Sequence, residues 1–348
     1  MPTSRLLTIA QVLTGTAAAL ALLYFLRNII IPLVIAFVLV VIVDALVQSI
    51  QRRWPGAPGW VVSGLAGVLV ILGTSAGLFI LSRGAVQLVQ QGPALLVRLD
   101  GLVADVGRSL HLARPFHIEA IVAKIDWKQV GGFLLAGVQG VGGTVILIVI
   151  YFCFMLFGRK RIGEKHDAMA SASPGDRSPN RVLQLIAANF RTYLWIQTIT
   201  GAMITAAAAA VMIAVHLDNV LFWAVIFFLL TFIPNIGVTV GSIAPALFAL
   251  LQFPSAWQAI AIFVVIQAAA FVVGNIIYPR MQAETQNIDP LATIFALSFW
   301  TLLWGISGAF LAVPLTLALM MIFAQFDSTR WVAAILSNDG KPDFRKSA

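Results

Sequence analysis

Thirty-one consecutive residues, Leu221 to Leu251, read LFWAVIFFLLTFIPNIGVTVGSIAPALFALL. The run is apolar enough to enter a bilayer, yet Pro234, Asn235, Gly237, Gly241 and Pro245 interrupt it. One membrane crossing takes about 20 apolar residues at ~1.5 Å rise each. Counted from Asn219, this run reaches roughly 50 Å as a straight helix, too long for one untilted pass. Two half-helices meeting at the Pro-Asn-Ile-Gly turn account for the length. Pro234 brings no N–H, and Gly237 and Gly241 accept an unwound or close-packed backbone. A kinked long helix packed through its glycines is the alternative. Lipid cannot hydrogen-bond such a backbone, so it is expected only inside protein or beside a cavity, as at transport sites.

The rest of the chain supports a membrane setting. Of its 348 residues 60% are hydrophobic and 10% charged, and several apolar runs exceed the length of a crossing. The expected fold is an all-α polytopic membrane protein of about eight membrane segments, with two interrupted or re-entrant elements in its C-terminal half. All 22 Lys and Arg fall outside the expected spans, and of the 14 acidic residues only Asp44 falls inside one. The net charge of +8 therefore reads as topology and not as nucleic-acid binding. Cys153, the single cysteine, rules out an intrachain disulfide framework. The first apolar segment lacks a small-residue cleavage site and runs into a second, unlike a signal peptide.

In chain order, 1–82 holds spans at 7–26, 29–47 and 60–82. Asp44 lies near the end of the second, close to Gln48, Arg52 and Arg53, either as a coupling carboxylate or as an Arg-paired helix end. Residues 83–133 are different: six basic and four acidic side chains accompany apolar residues at helical spacing. This is an amphipathic segment outside the membrane core, broken near Gly92-Pro93 and Pro115, with His111 and His117 on its surface. A fourth span covers 134–157. Residues 158–195, a loop followed by a helix, carry seven basic residues against three acidic ones and belong in the cytoplasm. The C-terminal transport region, 196–325, opens with a small-residue span at 196–216. Broken element 219–251, a span at 256–278, a polar loop at 279–289 and broken element 290–325 follow. Gly305, Gly308 and Pro314 interrupt the last, and 326–348 forms a cytoplasmic tail.

With the N-terminus inside, both basic loops and the C-terminal tail fall inside and 83–133 falls outside. That holds whether the two broken elements cross once each or fold back as hairpins. Only hairpins put 279–289 inside, and the length of both elements favours them. Half-helix ends expose N–H and C=O groups that hold a polar solute without a charged side chain. Amides of Asn235, Gln267 and Asn275 are the candidate solute contacts, with interhelical hydrogen bonding as the alternative. No HExxH, GxSxG, CxxC or Walker A sequence occurs, and His166 and His216 stand alone. The chain therefore reads as a secondary transporter or passive channel, not an enzyme, with no metal or cofactor expected.

Two stretches resemble a known family. FIPNIGVTVGSIAPALFALL at 232–251 and NIIYPRMQAETQNIDPLATIFALSFWTLLWGISGAFLAVPLT at 275–316 are similar to the autoinducer-2 exporter-like (AI-2E) family. The resemblance implies a homo-oligomeric bacterial inner-membrane protein that exports a small polar solute, such as the quorum-sensing signal autoinducer-2. Some members look like sodium (lithium)/proton antiporters, so proton or sodium is the implied coupling ion. Onto this chain the family pattern carries Pro234, Asn235, Gly237, Gly241 and Pro245, then Pro279, Pro290, Gly305, Gly308 and Pro314. Gln267 stands where many relatives have an acidic residue, which weakens proton coupling there. Asp289, before Pro290, is the nearest carboxylate and has the sequence position of a helix N-cap. A scaffold acting through 83–133 is the reading from another class.

Overall fold

The structure, a computed structural model, describes residues 2–109, 143–158, 179–234, 236–282 and 287–340. Every regular element among them is helical. In order they are α1 (Pro2–Phe25), α2 (Arg27–Arg53), α3 (Gly59–Ser109), α4 (Gly143–Gly158), α5 (Pro179–Ala214), α6 (Val220–Thr231) and α7 (Ile236–Gln252). Then come α8 (Trp257–Val272), a π-helical turn (Val273–Ile277), α9 (Tyr278–Gln282), α10 (Pro290–Trp304), α11 (Ile306–Gln325) and α12 (Arg330–Leu336). Among the described residues five helical stretches are long and apolar enough to cross a membrane: Arg27–Arg53, Gly59–Leu95, Ile186–Ala214, Trp257–Met281 and Ile306–Gln325. The fold is that of an all-α polytopic membrane protein.

The helices pack as two units. One comprises Met1–Gly67, Thr144–Trp195 and Glu284–Ala348. It buries Ala36, Val40 and Val43 of α2, Phe152 of α4, and Tyr193 and Leu194 of α5. Phe37 of α2 meets Phe190 of α5 edge-on, ring centroids 5.6 Å apart. Helices α10 and α11 lie against each other in this unit. The second unit comprises Val68–Gly143 and Ile196–Ala283. Its core joins Ile204, Ala208 and Met212 of α5, Phe222, Trp223 and Phe227 of α6, Phe248 of α7, and Ile262 and Ile266 of α8. Ile80, Leu88 and Leu95 of α3 cover it.

Several sequence boundaries move. No break falls at 82/83 or at Gly92-Pro93: α3 runs 51 residues with Pro93 inside it. A proline removes one N–H from the ladder, and here the helix on both sides is held by its apolar face, Leu88 and Leu95 included. Pro115, His111, His117 and the remainder of 83–133 from residue 110 lie outside the described residues, as do 134–142 and 159–178 with His166. Helix α5 runs from Pro179 through the expected junction at 195/196 to Ala214 without interruption. The first residues of the expected loop at 279–289 are helical, because the helix of α8 continues to Gln282. Pro279 is absorbed rather than serving as a stop. In the π turn just before it, the Tyr278 N–H reaches back five residues to the Val273 carbonyl. The wider turn gives room where a proline ring would strike an α-helical carbonyl. Within 326–348 the chain forms α12.

Two helical hairpins as candidate solute sites

Arms of 12 and 17 residues, α6 and α7, make the first hairpin. As helices they measure roughly 18 and 26 Å, each short of the ~30 Å hydrocarbon core. Both His216 and Asn219 adopt left-handed backbone (φ 59° and 56°), which turns the chain sharply between α5 and α6. The hairpin is closed at its base by Gln252. Its Oε1 accepts from the Asp218 N–H at 2.8 Å, and its Nε2 donates to the His216 carbonyl at 3.1 Å. On one straight helix those groups would stand roughly 50 Å apart. Beside them the Arg98 guanidinium of α3 donates to the Phe253 carbonyl at 2.9 Å, next to the C-terminus of α7, where a cation is favoured. Between base and tip the rings of Trp223 and Phe248 lie 5.3 Å apart.

At the tip α6 ends and the chain reverses. Ile233 N–H donates to the Leu230 carbonyl (2.9 Å) and Gly237 N–H to the Ile233 carbonyl (3.0 Å). Pro234 is half-buried in this turn. Asn235 lies outside the described residues. Gly237 is buried so tightly that a Cβ there would sit 1.6 Å from the Leu230 carbonyl oxygen. Gly241, one turn on, faces the Phe227 ring, and Pro245 is buried inside α7. The glycines therefore let the second arm close on the first.

The second hairpin, α10 and α11, uses the same device. Asp289 caps α10, its side chain accepting from the N–H groups of Leu291 (2.8 Å) and Ala292 (3.2 Å), with Pro290 at the first helical position. Gly305, at φ 63° and ψ −142°, joins the arms in a conformation that L-residues avoid. Gly308 is buried, with the Trp300 carbonyl oxygen 1.9 Å from where its Cβ would stand. Trp300 Nε1 donates across the hairpin to Thr316 Oγ1 at 3.0 Å. Pro314 is buried within α11, and Trp304 Nε1 donates to the Leu23 carbonyl of α1. The base of this hairpin is tied to the tail. Asp289 N–H donates to the Leu336 carbonyl (3.0 Å), while the Asn287 side chain binds Asn338 and Asp339.

The expected amides divide differently. Gln267 is half-buried on α8, which packs along α7. Asn275 is exposed in the π turn and donates to its own helix, at the Phe271 carbonyl, 2.9 Å away. That correction follows from the π turn, which breaks the regular α spacing linking it to Gln267. Asp44 is half-buried on α2, in the unit that does not contain the first hairpin. Sequence reasoning missed Gln197 of α5, whose amide donates to the Thr231 carbonyl at the end of α6. It also missed Arg98, Gln252 and Asn287, whose partners lie 34 to 155 residues away.

The family model described as "AI-2E family transporter" matches residues 13–327, which takes in both hairpins and the helices that carry them. The chain belongs to the AI-2E transporter family. A relative in Haemophilus influenzae, named "Putative transport protein", is 27% identical over 95% of this chain and 97% of its own length. The Escherichia coli K12 "AI-2 transport protein TqsA" is 26% identical over 91% of this chain and 92% of its own length. A second E. coli K12 protein, "Putative transport protein YhhT", is 25% identical over 98% and 95%. Among the described residues of this AI-2E chain no group of three His, Cys, Asp or Glu side chains could hold a metal ion. Each hairpin does present half-helix ends, where backbone carbonyls and N–H groups lack a partner within their own helix.

Proposed function

We propose that this AI-2E family member is a secondary transporter exporting a small polar solute, with autoinducer-2 the solute to test first. The observation that carries the reading is the first hairpin: two arms, each too short to cross a bilayer alone, closed at the base by Gln252 and broken at Pro234. Broken helices of this kind hold solutes at mid-membrane in transporters. The name of the E. coli relative supplies the solute. In this reading both hairpins are re-entrant, the chain sits in the bacterial inner membrane as a homo-oligomer, and its N- and C-termini are cytoplasmic. Pro234, Asn235 and Gln267 are the proposed solute contacts at the first hairpin, where Gly237 and Gly241 bring the arms together; Gly305 and Gly308 do the same at the second, Asn275 is spent on its own helix, and Pro245, Pro279, Pro290 and Pro314 shape the helices.

Export is tested in cells that make autoinducer-2 and lack their own exporters. Expression of the chain is expected to lower the internal and raise the external signal. Asn235→Leu is expected to abolish that effect with assembly intact, and efflux at the wild-type level would remove Asn235 from the route. Everted vesicles test the sodium/proton alternative. A sodium-dependent proton signal that Asp44→Asn or Asp289→Asn abolishes would replace the exporter reading.

A further inference from the structure

The last turn of α6 leaves carbonyls with no helical N–H ahead of them. Three of them find partners within the hairpin. Phe228 O accepts from Thr231 Oγ1 at 2.6 Å, Leu229 O from Phe232 N–H at 3.3 Å, and Leu230 O from Ile233 N–H at 2.9 Å. The fourth, Thr231 O, takes its partner from another helix: Gln197 Nε2 of α5, 2.5 Å away. Gly201, one turn along α5, is packed against the same residue, and a Cβ there would stand 2.5 Å from Thr231 Oγ1.

Thr198 and Thr205 flank Gly201 three residues before and four after, seven apart, and so share one side of α5. Their hydroxyl oxygens are sealed from solvent and have no hydrogen-bond partner. Helical threonines ordinarily bond the carbonyl four residues back. Thr192 and Thr200 on this same helix do so, at 3.1 and 2.7 Å. A buried polar group without a partner costs about 1–3 kcal/mol. Two of them beside a side-chain-capped helix end point to a partner that the chain itself does not supply.

We propose that Gln197, Thr198, Gly201 and Thr205 of α5, together with the Thr231 carbonyl, bind a neutral, hydroxyl-bearing solute, and that Gln197 holds the carbonyl when no solute is there. The proposal rests on the transporter reading and names the site where that reading needs one. Every named group is uncharged. A solute hydroxyl donates to Thr231 O in place of the Gln197 amide and exchanges hydrogen bonds with the two threonines. A cation is disfavoured, because the Gln197 N–H dipole points its positive end at the same oxygen.

The test is autoinducer-2 counterflow in proteoliposomes holding the full chain. Thr198→Val and Thr205→Val keep the side-chain shape and remove only the hydroxyl. Each is expected to raise the half-saturating concentration about fivefold to tenfold, the worth of one hydrogen bond, with the maximal rate within about twofold of wild type. Gln197→Glu is the second arm, since a carboxylate cannot donate to Thr231 O but a protonated carboxyl can. Its transport is expected to fall at about pH 8 and to recover on acidification as the carboxyl takes up a proton, against a wild-type change of less than about twofold. Wild-type half-saturation in both valine variants overturns the site. A Gln197→Glu profile parallel to wild type overturns the role of Gln197. Absence of counterflow by the wild-type protein refutes the transporter reading itself.

Discussion

Replacing Gly237 by alanine tests the hairpin at its tightest point. The new Cβ would stand 1.6 Å from the Leu230 carbonyl oxygen and 2.5 Å from its carbon. Carbon and oxygen rest at about 3.3 Å or more, so the arms must part by about 2 Å. Both atoms are backbone, so no side-chain rotation relieves the clash. Parting the arms strains the bonds Ile233 N–H to Leu230 O and Gly237 N–H to Ile233 O. Overpacking costs about 1–3 kcal/mol and each weakened bond about 1 kcal/mol, which sums to about 3–5 kcal/mol. The assay is thermal unfolding of the purified protein in detergent, followed by the fluorescence of its tryptophans. A fall in Tm of at least about 5 °C is expected. Gly64→Ala is the control: it lies within α3 with no heavy atom within 4 Å of the added Cβ. It is expected to be neutral or to gain up to about 1 kcal/mol from helix propensity. A Gly237→Ala protein that melts within about 1 °C of wild type would refute the close approach of the two arms.

Trp300→Phe removes the bond to Thr316 and is expected to cost about 1–2 kcal/mol by thermal unfolding, since Thr316 keeps its bond to the Ala312 carbonyl. Asp289→Ala is expected to cost about 1 kcal/mol in the same assay and Asp289→Asn much less, because asparagine also caps; transport in the asparagine variant at the wild-type rate would separate capping from coupling. Gln252→Leu leaves the Asp218 N–H and His216 carbonyl without their partner and is expected to lower Tm, with protease cutting near 216–219 as the second readout. Thr285→Cys in a Cys153→Ala background is expected to react with an impermeant maleimide from the cytoplasmic side only; labelling from outside contradicts re-entrant hairpins.

Much of the fold could be read from residue type alone. Pro234 with Gly237, and Gly305 with Gly308, mark the two reversals, because a missing N–H and an absent Cβ are local properties. The capping role of Asp289 before Pro290 was legible for the same reason. Local punctuation misled where the surroundings outweighed it. Pro93 costs α3 one hydrogen bond, yet the helix continues through the apolar face that Leu88 and Leu95 hold in place. Pro279 is met by a π turn that no composition signal announces. The ties at the hairpin bases and tip were out of reach altogether. Gln197 and Thr231, or Asn287 and Asp339, are paired by the path of the chain over dozens of residues, and side-chain type says nothing of that path.

Helix α3 has a mechanical consequence. At 51 residues it is a rod of roughly 75 Å, more than twice the thickness of the hydrocarbon core. Pivoting such a rod by only 5° sweeps its far end through roughly 6 Å. Arg98 rivets its C-terminal half to Phe253, at the root of the first hairpin. A tilt of the Val68–Ser109 stretch of α3 is therefore passed straight to the root of that hairpin.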